Sequence, residues 1–225
     1  MAAYERIEVI LRIRNTGVVP VFYHSDPLVV RNVVKACYKG GIRVFEFTNR
    51  GDFAHEVFAE VNKYCMGSLK DIALGVGSVP DPATATLYIQ LGADFVVAPT
   101  LNAETARICN RRKILWIPGC GTLSEISYAE ELGAEIVKIF PGSSVGGPDF
   151  VKSIKGPMPW TSVMPAGGVS PDKENLKKWF EAGVVAVGMG SRLFTRNIIQ
   201  TKAYRQLEEK VKELMYTIRE VRSNL

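Results

Sequence analysis

Residues 43–77 read RVFEFTNRGDFAHEVFAEVNKYCMGSLKDIALGVG, and this stretch contains the repeating unit that decides the fold. Two short runs rich in β-branched and aromatic residues, 43–48 and 71–77, flank a segment at 52–64 that has helical spacing. Four apolar residues of that segment recur at helical intervals and predict one stripe that packs on a sheet: Phe53, Val57, Phe58 and Val61. The stretch therefore predicts a strand, a helix and a second strand parallel to the first.

The same alternation runs through the rest of the chain. Eight short apolar runs are predicted as strands, and a helical segment clearly follows each of the first seven: 17–23, 43–48, 71–77, 93–99, 114–119, 134–140, 162–168 and 184–190. Eight parallel strands with short right-handed connections are the number that closes a barrel. We therefore expect the α/β class and a (β/α)8 TIM barrel, formed as a single domain by residues 1–225.

Both ends of the chain predict helices outside this repeat. Charges interrupt the apolar positions of residues 1–17, which is typical of an amphipathic helix and unlike a signal peptide. A closing helix is predicted at about 200–222, with Leu207, Val211 and Leu214 on one face. The alternative fold is an open doubly wound sheet, which is less well supported because no G-x-G-x-x-G motif follows the first strand.

The composition favours a globular protein that binds a small anion. Of the 225 residues 47% are apolar, and 28 Lys and Arg outnumber 23 Asp and Glu, giving a formal charge of +5. The basic residues are dispersed, so we expect no nucleic-acid partner, and no run approaches the roughly 18 apolar residues of a membrane span. Four cysteines without a C-x-x-C pair indicate reduced thiols and a cytoplasmic location: Cys37, Cys65, Cys109 and Cys120.

Two charged residues lie inside predicted strands, Lys138 within 134–140 and Glu46 within 43–48. Charged groups are rarely buried without a partner or a task. Burial disfavours the ammonium form of a lysine and leaves an amine that can attack a carbonyl carbon to form a Schiff base. Glu46 is the candidate for the accompanying proton transfers, and its alternative interpretation is a structural ion pair with Lys138 or Arg50.

Candidate binding residues follow several strand ends. Arg50 carries a planar guanidinium suited to a carboxylate, and the hydroxyl of Ser78 could complete that carboxylate site. The pairs Gly167-Gly168 and Gly190-Ser191 end the seventh and eighth strands, where backbone N–H groups bind phosphate in many barrels. Because glycine and serine also form ordinary turns, the phosphate interpretation depends on the two turns occurring together.

Few residues of the chain suit metal or thiol chemistry. His24 and His55 are the only histidines, and no carboxylate cluster has the spacing of metal ligands, so we expect neither a metal nor another cofactor. Cys120 has no plausible base histidine and is interpreted as a small core or rim residue. The predicted reaction is therefore metal-independent.

From about residue 10 to 200 the chain resembles the bacterial 2-keto-3-deoxy-6-phosphogluconate (KDPG) and 4-hydroxy-2-oxoglutarate (KHG) aldolases. Seven ordered motifs carry the resemblance: V-V-P-V at 18–21, E-F-T-N-R at 46–50, G-V-G-S-V at 75–79, A-P at 98–99, I-P-G at 117–119, V-K-I-F-P at 137–141 and P-A-G-G at 165–168. The resemblance implies a class I aldolase in which Lys138 forms the Schiff base and Glu46 transfers protons through a water. It implies that Arg50 and Ser78 hold the carboxylate of the pyruvyl group.

The resemblance also implies the rest of the site and the partners. Pro99 and Phe140 would contact the substrate, and a phosphate cradle would comprise Gly167, Gly168, Gly190 and Ser191. The expected ligands are a phosphorylated 2-keto acid and pyruvate, and members of the family look like homotrimers. The expected reaction splits KDPG into pyruvate and glyceraldehyde 3-phosphate, or KHG into pyruvate and glyoxylate.

The chain departs from the better-known members at two positions. Ser78 replaces a threonine and keeps the hydroxyl, whereas Ala166 replaces the threonine of a T-G-G turn and loses one. Losing a hydrogen bond to the C4 hydroxyl of the substrate costs about 1 kcal/mol, so we expect weaker stereocontrol at C4. Cleavage of the 6-phosphogalactonate epimer therefore stays open, as does a non-catalytic barrel that binds a sugar phosphate.

Overall fold

The computed structural model describes residues 2–225 as alternating strands and helices. In this part of the chain the strands are β1 (Val18–Phe22), β2 (Val44–Thr48), β3 (Ala73–Gly77), β4 (Phe95–Val97), β5 (Leu115–Ile117), β6 (Gly119–Cys120), β7 (Val137–Ile139), β8 (Val163–Pro165) and β9 (Val187–Met189). The helices are α1 (Arg6–Thr16), α2 (Pro27–Lys39), α3 (Ala54–Ser68), α4 (Pro82–Gln90), α5 (Ala103–Arg112), α6 (Leu123–Glu131), α7 (Gly147–Lys155), α8 (Lys173–Glu181), α9 (Arg196–Gln200) and α10 (Tyr204–Ser223).

The strands form two parallel sheets, and the prediction of one closed eight-stranded barrel is wrong. A six-stranded sheet has the order β5-β4-β3-β2-β1-β9, and a three-stranded sheet has the order β6-β7-β8. Pro118, which has no N–H to donate to a ladder, separates β5 from β6. On the other side a single bridge between Ala166 and Gly188 connects the sheets. The architecture is thus an open, curled parallel sheet with helices alternating along the chain.

The sequence pattern predicts a helix at roughly 27–39, which agrees with α2, whereas α3 does not begin where the sequence predicts. Asp26 accepts a hydrogen bond from Leu28 N in front of Pro27, which is a favourable start for a helix. The helix predicted at 52–64 begins at Ala54, because Phe53 adopts a left-handed backbone conformation with φ of 58°. The side chain of Phe53 is 68% exposed, so the predicted stripe is wrong at this residue and correct at its three buried members.

A core of fully buried side chains lies inside the curled strands. It draws on residues in or beside eight of the strands and on two residues of α1: Val9, Ile13, Val19, Val44, Ala73, Phe95, Val97, Leu115, Ile117, Ile136, Met164 and Ala186. Since Val44 and Ala73 begin their strands, α1 packs at the amino-terminal ends. Gly17, with φ of 73°, ends α1 and turns the chain into β1.

The carboxy-terminal helix α10 packs against α2 and α8 on the outside of the sheet. Its predicted face, Leu207, Val211 and Leu214, is buried. The four cysteines are buried and free. Among residues 2–225, no helix is long and apolar enough to cross a lipid bilayer.

Candidate active site

A cavity of about 700 Å³ opens at the carboxyl ends of the strands. Its lining includes all the residues predicted for catalysis or substrate binding: Glu46, Arg50, Ser78, Pro99, Lys138, Phe140, Ala166, Gly167, Gly168, Gly190 and Ser191. These residues lie in or directly after β2, β3, β4, β7, β8 and β9. The fold therefore brings the predicted residues together, because parallel strands end at one side of a sheet.

Lys138 is the central residue of β7 and is only 7% exposed. Its backbone N–H donates to the carbonyl oxygen of Pro118 at 2.8 Å. This hydrogen bond holds the backbone of residue 138, from which the side chain extends. The Nζ atom lies 4.8 Å from the centre of the Phe140 ring. No carboxylate oxygen of the described residues lies within 4.0 Å of Nζ. The amine is thus buried in the cavity wall without a paired acid.

Glu46 is the central residue of β2 and is 1% exposed. Burial raises the pKa of its carboxyl group, and the charges of Lys138 and Arg50 only partly oppose that shift. Neither carboxyl oxygen has a hydrogen-bond partner in the described chain. Neither oxygen lies within 4.0 Å of a basic group, so the alternative of a structural ion pair with Lys138 or Arg50 is not observed.

Arg50 and Ser78 lie together where the chain leaves β2 and β3. The Nε atom of Arg50 donates to Ser78 Oγ at 3.5 Å. Ser78 has a φ of 58°, a left-handed conformation that is uncommon for a residue with a side chain. The contact leaves the terminal nitrogens of Arg50 available for an anion.

Two glycine-bearing turns form the opposite part of the cavity. Gly167 and Gly168 have φ of 92° and 81°, which other residues adopt only with strain. A side chain on Gly168 would also lie 2.5 Å from the Cβ atom of Ser143. The hydrogen bonds found within residues 2–225 use none of the backbone N–H groups of Gly168, Gly190 and Ser191. Such unused donors can bind phosphate oxygens.

The cavity also contains polar residues to which the sequence analysis gave no role: Tyr23, Thr48, Ser143 and Arg192. Thr48 follows Glu46 by two residues, so strand alternation could have placed it on the same side. The other three lie in loops and carry no periodic signal. Lys210 Nζ donates to the backbone oxygens of Arg192 and Leu193 at 2.9 and 3.1 Å, which anchors the loop that carries Arg192.

Two further features of the described chain are its possible metal-ligating side chains and the thiol of Cys120. Within residues 2–225, no three His, Cys, Asp or Glu side chains converge as metal ligands. Cys120 is 1% exposed, and burial raises the pKa of its thiol to about 12. Its location agrees with the interpretation of Cys120 as a core residue.

Comparisons with known proteins agree with this arrangement. A 2-dehydro-3-deoxy-phosphogluconate aldolase from Haemophilus influenzae is 27% identical over 96% of this chain and 100% of its own length. A 2-dehydro-3-deoxy-6-phosphogalactonate aldolase from Escherichia coli is 36% identical over 54% of this chain and 58% of its own length. KDPG aldolase from Legionella pneumophila, solved with pyruvate captured at low pH as a covalent carbinolamine, is 24% identical and shares the fold with a TM-score of 0.81 over 90% of this chain and 96% of that one.

The sequence profile described as KDPG and KHG aldolase matches residues 9–210, which include every residue of the candidate site. The match covers most of the 225 residues, so it reports on the whole arrangement of strands and helices. The chain belongs to the KDPG and KHG aldolase family and is an aldolase, a carbon–carbon lyase.

Proposed function

We propose that this aldolase cleaves 2-keto-3-deoxy-6-phosphogluconate into pyruvate and glyceraldehyde 3-phosphate through a Schiff base on Lys138. The observation that carries the proposal is the pairing of a buried, unpaired amine with a buried, unpaired carboxyl group in one cavity. Burying two such groups costs free energy of folding. Schiff-base formation with proton transfer is a function that would use both of them. The Haemophilus influenzae relative, whose full length aligns with this chain, is named for the same substrate.

The reaction begins when Lys138 Nζ adds to the C2 carbonyl carbon of the keto acid, and a proton passes from the nitrogen to the former carbonyl oxygen to give a carbinolamine. Glu46, whose raised pKa favours its protonated form, donates a proton to the departing hydroxyl, and water leaves as the iminium forms. The resulting carboxylate then accepts the proton of the C4 hydroxyl while the electrons of the C3–C4 bond move toward the iminium nitrogen. The aldehyde departs, the Glu46 carboxyl group gives its proton to the enamine carbon C3, and addition of water to the iminium releases pyruvate and the Lys138 amine.

The remaining lining residues hold the two ends of the substrate. Arg50 and Ser78 bind the carboxylate next to C2, since guanidinium and hydroxyl groups supply the required donors. The N–H groups of the two glycine turns bind the phosphate: Gly167, Gly168, Gly190 and Ser191. Pro99 and Phe140 contact the carbon chain between these ends. Ala166 faces the C4 region, where it offers no hydroxyl.

A second candidate substrate is the C4 epimer, 2-keto-3-deoxy-6-phosphogalactonate. Ala166 favours it, because the chain lacks the hydroxyl that would select one configuration at C4. The 36% identity to an Escherichia coli aldolase named for the galactonate substrate supports the same candidate over about half of the chain. The non-phosphorylated 4-hydroxy-2-oxoglutarate is a third substrate, since it retains the carboxylate and keto groups that Arg50 and Lys138 recognise.

Reduction with borohydride in the presence of pyruvate tests the covalent step. We expect one adduct per chain, on the peptide that contains Lys138, and loss of both adduct and turnover in Lys138→Arg. Lys152→Arg is the matched control, because Lys152 is an exposed lysine on α7. Adduct formation at another lysine, or turnover by Lys138→Arg, would overturn the proposal.

The family resemblance and the cysteines are the basis for proposing a number of domains, an oligomeric state and a location. We propose one domain, a homotrimer and a cytoplasmic location. The four free, buried cysteines suit a reducing compartment. Sedimentation or light scattering of the purified chain would give three times the 24.8 kDa mass of one protomer if the trimer is correct.

A further inference from the structure

The carboxyl group of Glu46 lies directly against the backbone of Gly77. A Cβ atom built on Gly77 would overlap Glu46 Oε1 and would lie 2.5 Å from its Cδ and 2.8 Å from its Cγ. Real Cβ atoms essentially never approach another heavy atom closer than 3.0 Å. The space that the carboxyl group occupies therefore exists only because residue 77 has no side chain.

Backbone conformation does not explain the glycine at this position. Gly77 lies in β3 in register with Thr48 of β2, and it is not among the residues with positive φ. An alanine could adopt the same backbone angles, since extended strands admit any side chain. The three heavy atoms nearest to a Cβ at residue 77 all belong to the Glu46 side chain, so this side chain is what a methyl would displace.

Gly75, a second glycine of β3, also leaves space for a neighbouring side chain. A Cβ atom on Gly75, in register with Glu46, would lie 2.5 Å from the ring of Phe95. Phe95 is fully buried in the inner core and does not line the cavity. Gly75 therefore admits a core ring, whereas Gly77 admits a reactive carboxyl group.

Within residues 2–225 no hydrogen bond holds the Glu46 carboxyl group, so its packing against β3 defines where it lies. A hydrogen bond from a protein donor would occupy part of the capacity that the carboxyl group has for substrate oxygens. Contact with a bare backbone sets the distance to the substrate and leaves both oxygens free to exchange protons.

We propose that Gly77 is a positioning residue for proton transfer: its missing side chain forms the niche that places the Glu46 carboxyl group in the cavity that Lys138 also lines. The proposal rests on the proposed function, in which Glu46 moves protons during Schiff-base formation and bond cleavage.

Steady-state kinetics of Gly77→Ala, Glu46→Gln and the double variant test the positioning role. Gly77→Ala should lower kcat by roughly 100-fold, the usual effect of losing a general acid–base, with KM changed little. In the Glu46→Gln background the same substitution should cause no further loss, because residues that act as a unit are not additive. Full activity of Gly77→Ala, or losses that multiply in the double variant, would overturn the proposal.

Thermal unfolding separates this role from general damage to the fold. Gly77→Ala should lower Tm in the parent chain and leave Tm unchanged in a Glu46→Ala background, where the niche is empty. If Gly77→Ala alone does not fold, the double variant must fold; failure of both would refute the proposal. Gly67→Ala is the control, because its Cβ would meet nothing within 4 Å.

Failure of the proposed function gives a different pattern. In that case Glu46→Gln keeps full turnover, or Lys138 forms no adduct with pyruvate, whatever Gly77→Ala does. Failure of the Gly77 inference alone leaves Glu46→Gln impaired and the pyruvate adduct on Lys138 intact.

Discussion

Arg50 Nε and Ser78 Oγ are 3.5 Å apart, and their contact joins the segments that follow β2 and β3. No carboxylate in the described chain pairs with Arg50 within 4.0 Å. The guanidinium is therefore oriented by a neutral neighbour and keeps its charge for a ligand. A carboxylate bound here would accept paired hydrogen bonds from the planar guanidinium, which the compact ammonium group of a lysine could not supply in the same geometry.

Replacing Arg50 with lysine should raise KM for the keto acid while kcat changes less. The substitution keeps the charge and loses the paired donors, which is worth about 1.5–3 kcal/mol, or roughly 10- to 100-fold. Steady-state kinetics with the phosphorylated substrate measure the change. Ser78→Ala should have a smaller effect of about 1 kcal/mol, and an unchanged KM in Arg50→Lys would argue against the carboxylate site.

Replacing Arg192 with glutamine should weaken recognition of the phosphate end. Arg192 lines the cavity and directly follows Gly190 and Ser191 in the chain, so kcat/KM for the phosphorylated substrate should fall roughly tenfold. For 4-hydroxy-2-oxoglutarate, which has no phosphate, kcat/KM should stay within about twofold. Equal losses for both substrates would assign Arg192 a structural role instead. Arg196→Gln, a substitution outside the cavity, is the matched control.

Introducing a hydroxyl at residue 166 should change the stereochemical preference. We expect Ala166→Thr to raise the ratio of kcat/KM for the gluconate over the galactonate epimer by roughly fivefold, which corresponds to one hydrogen bond of about 1 kcal/mol. The two C4 epimers, assayed in parallel, give this ratio directly. Ala166→Val adds similar volume without a hydroxyl, so an equal shift in that variant would contradict the hydrogen-bond explanation.

Removing the ionisable group at residue 46 should stabilise the fold in a pH-dependent way. Burial raises the pKa of Glu46 above the ordinary value of 4.5, so the folded chain favours the protonated carboxyl group. The stability that the protonated Glu46 carboxyl group contributes is fully present below its ordinary pKa. This stability is lost as the pH rises through the raised pKa. Glu46→Gln should therefore gain Tm over the parent near pH 8 and lose that gain toward about pH 5. A gain independent of pH would contradict this account; Glu131→Gln, on the surface, is the control.

The sequence predicts the strands well because each one is a short β-branched run between turn residues. It does not predict how the sheet divides, because pairing between segments that are distant along the chain is not contained in the local spacing of apolar residues. The start of α3 is misplaced for a similar reason: Phe53 has the right spacing, yet its left-handed backbone places the side chain in solvent.

The candidate site also contains residues that the sequence predicts and residues that it does not. Lys138 and Glu46 could be found because a charge inside an apolar strand is unusual wherever it occurs. Ser143 and Arg192 could not, since each is an ordinary loop residue that only the folded chain brings to the cavity. The niche at Gly77 was also unpredictable, because glycines in strand ends have many causes.

The inner core has a consequence for how products leave. Val9 and Ile13 of α1 complete a solid interior at the amino-terminal ends of the strands, so ligands enter and exit on the opposite side only. Lys138 lies deep on that route, whereas Gly167, Gly168 and Ser191 are exposed at its mouth. In the proposed mechanism the aldehyde fragment lies between the pyruvyl fragment on Lys138 and this mouth, so we expect the aldehyde to depart first.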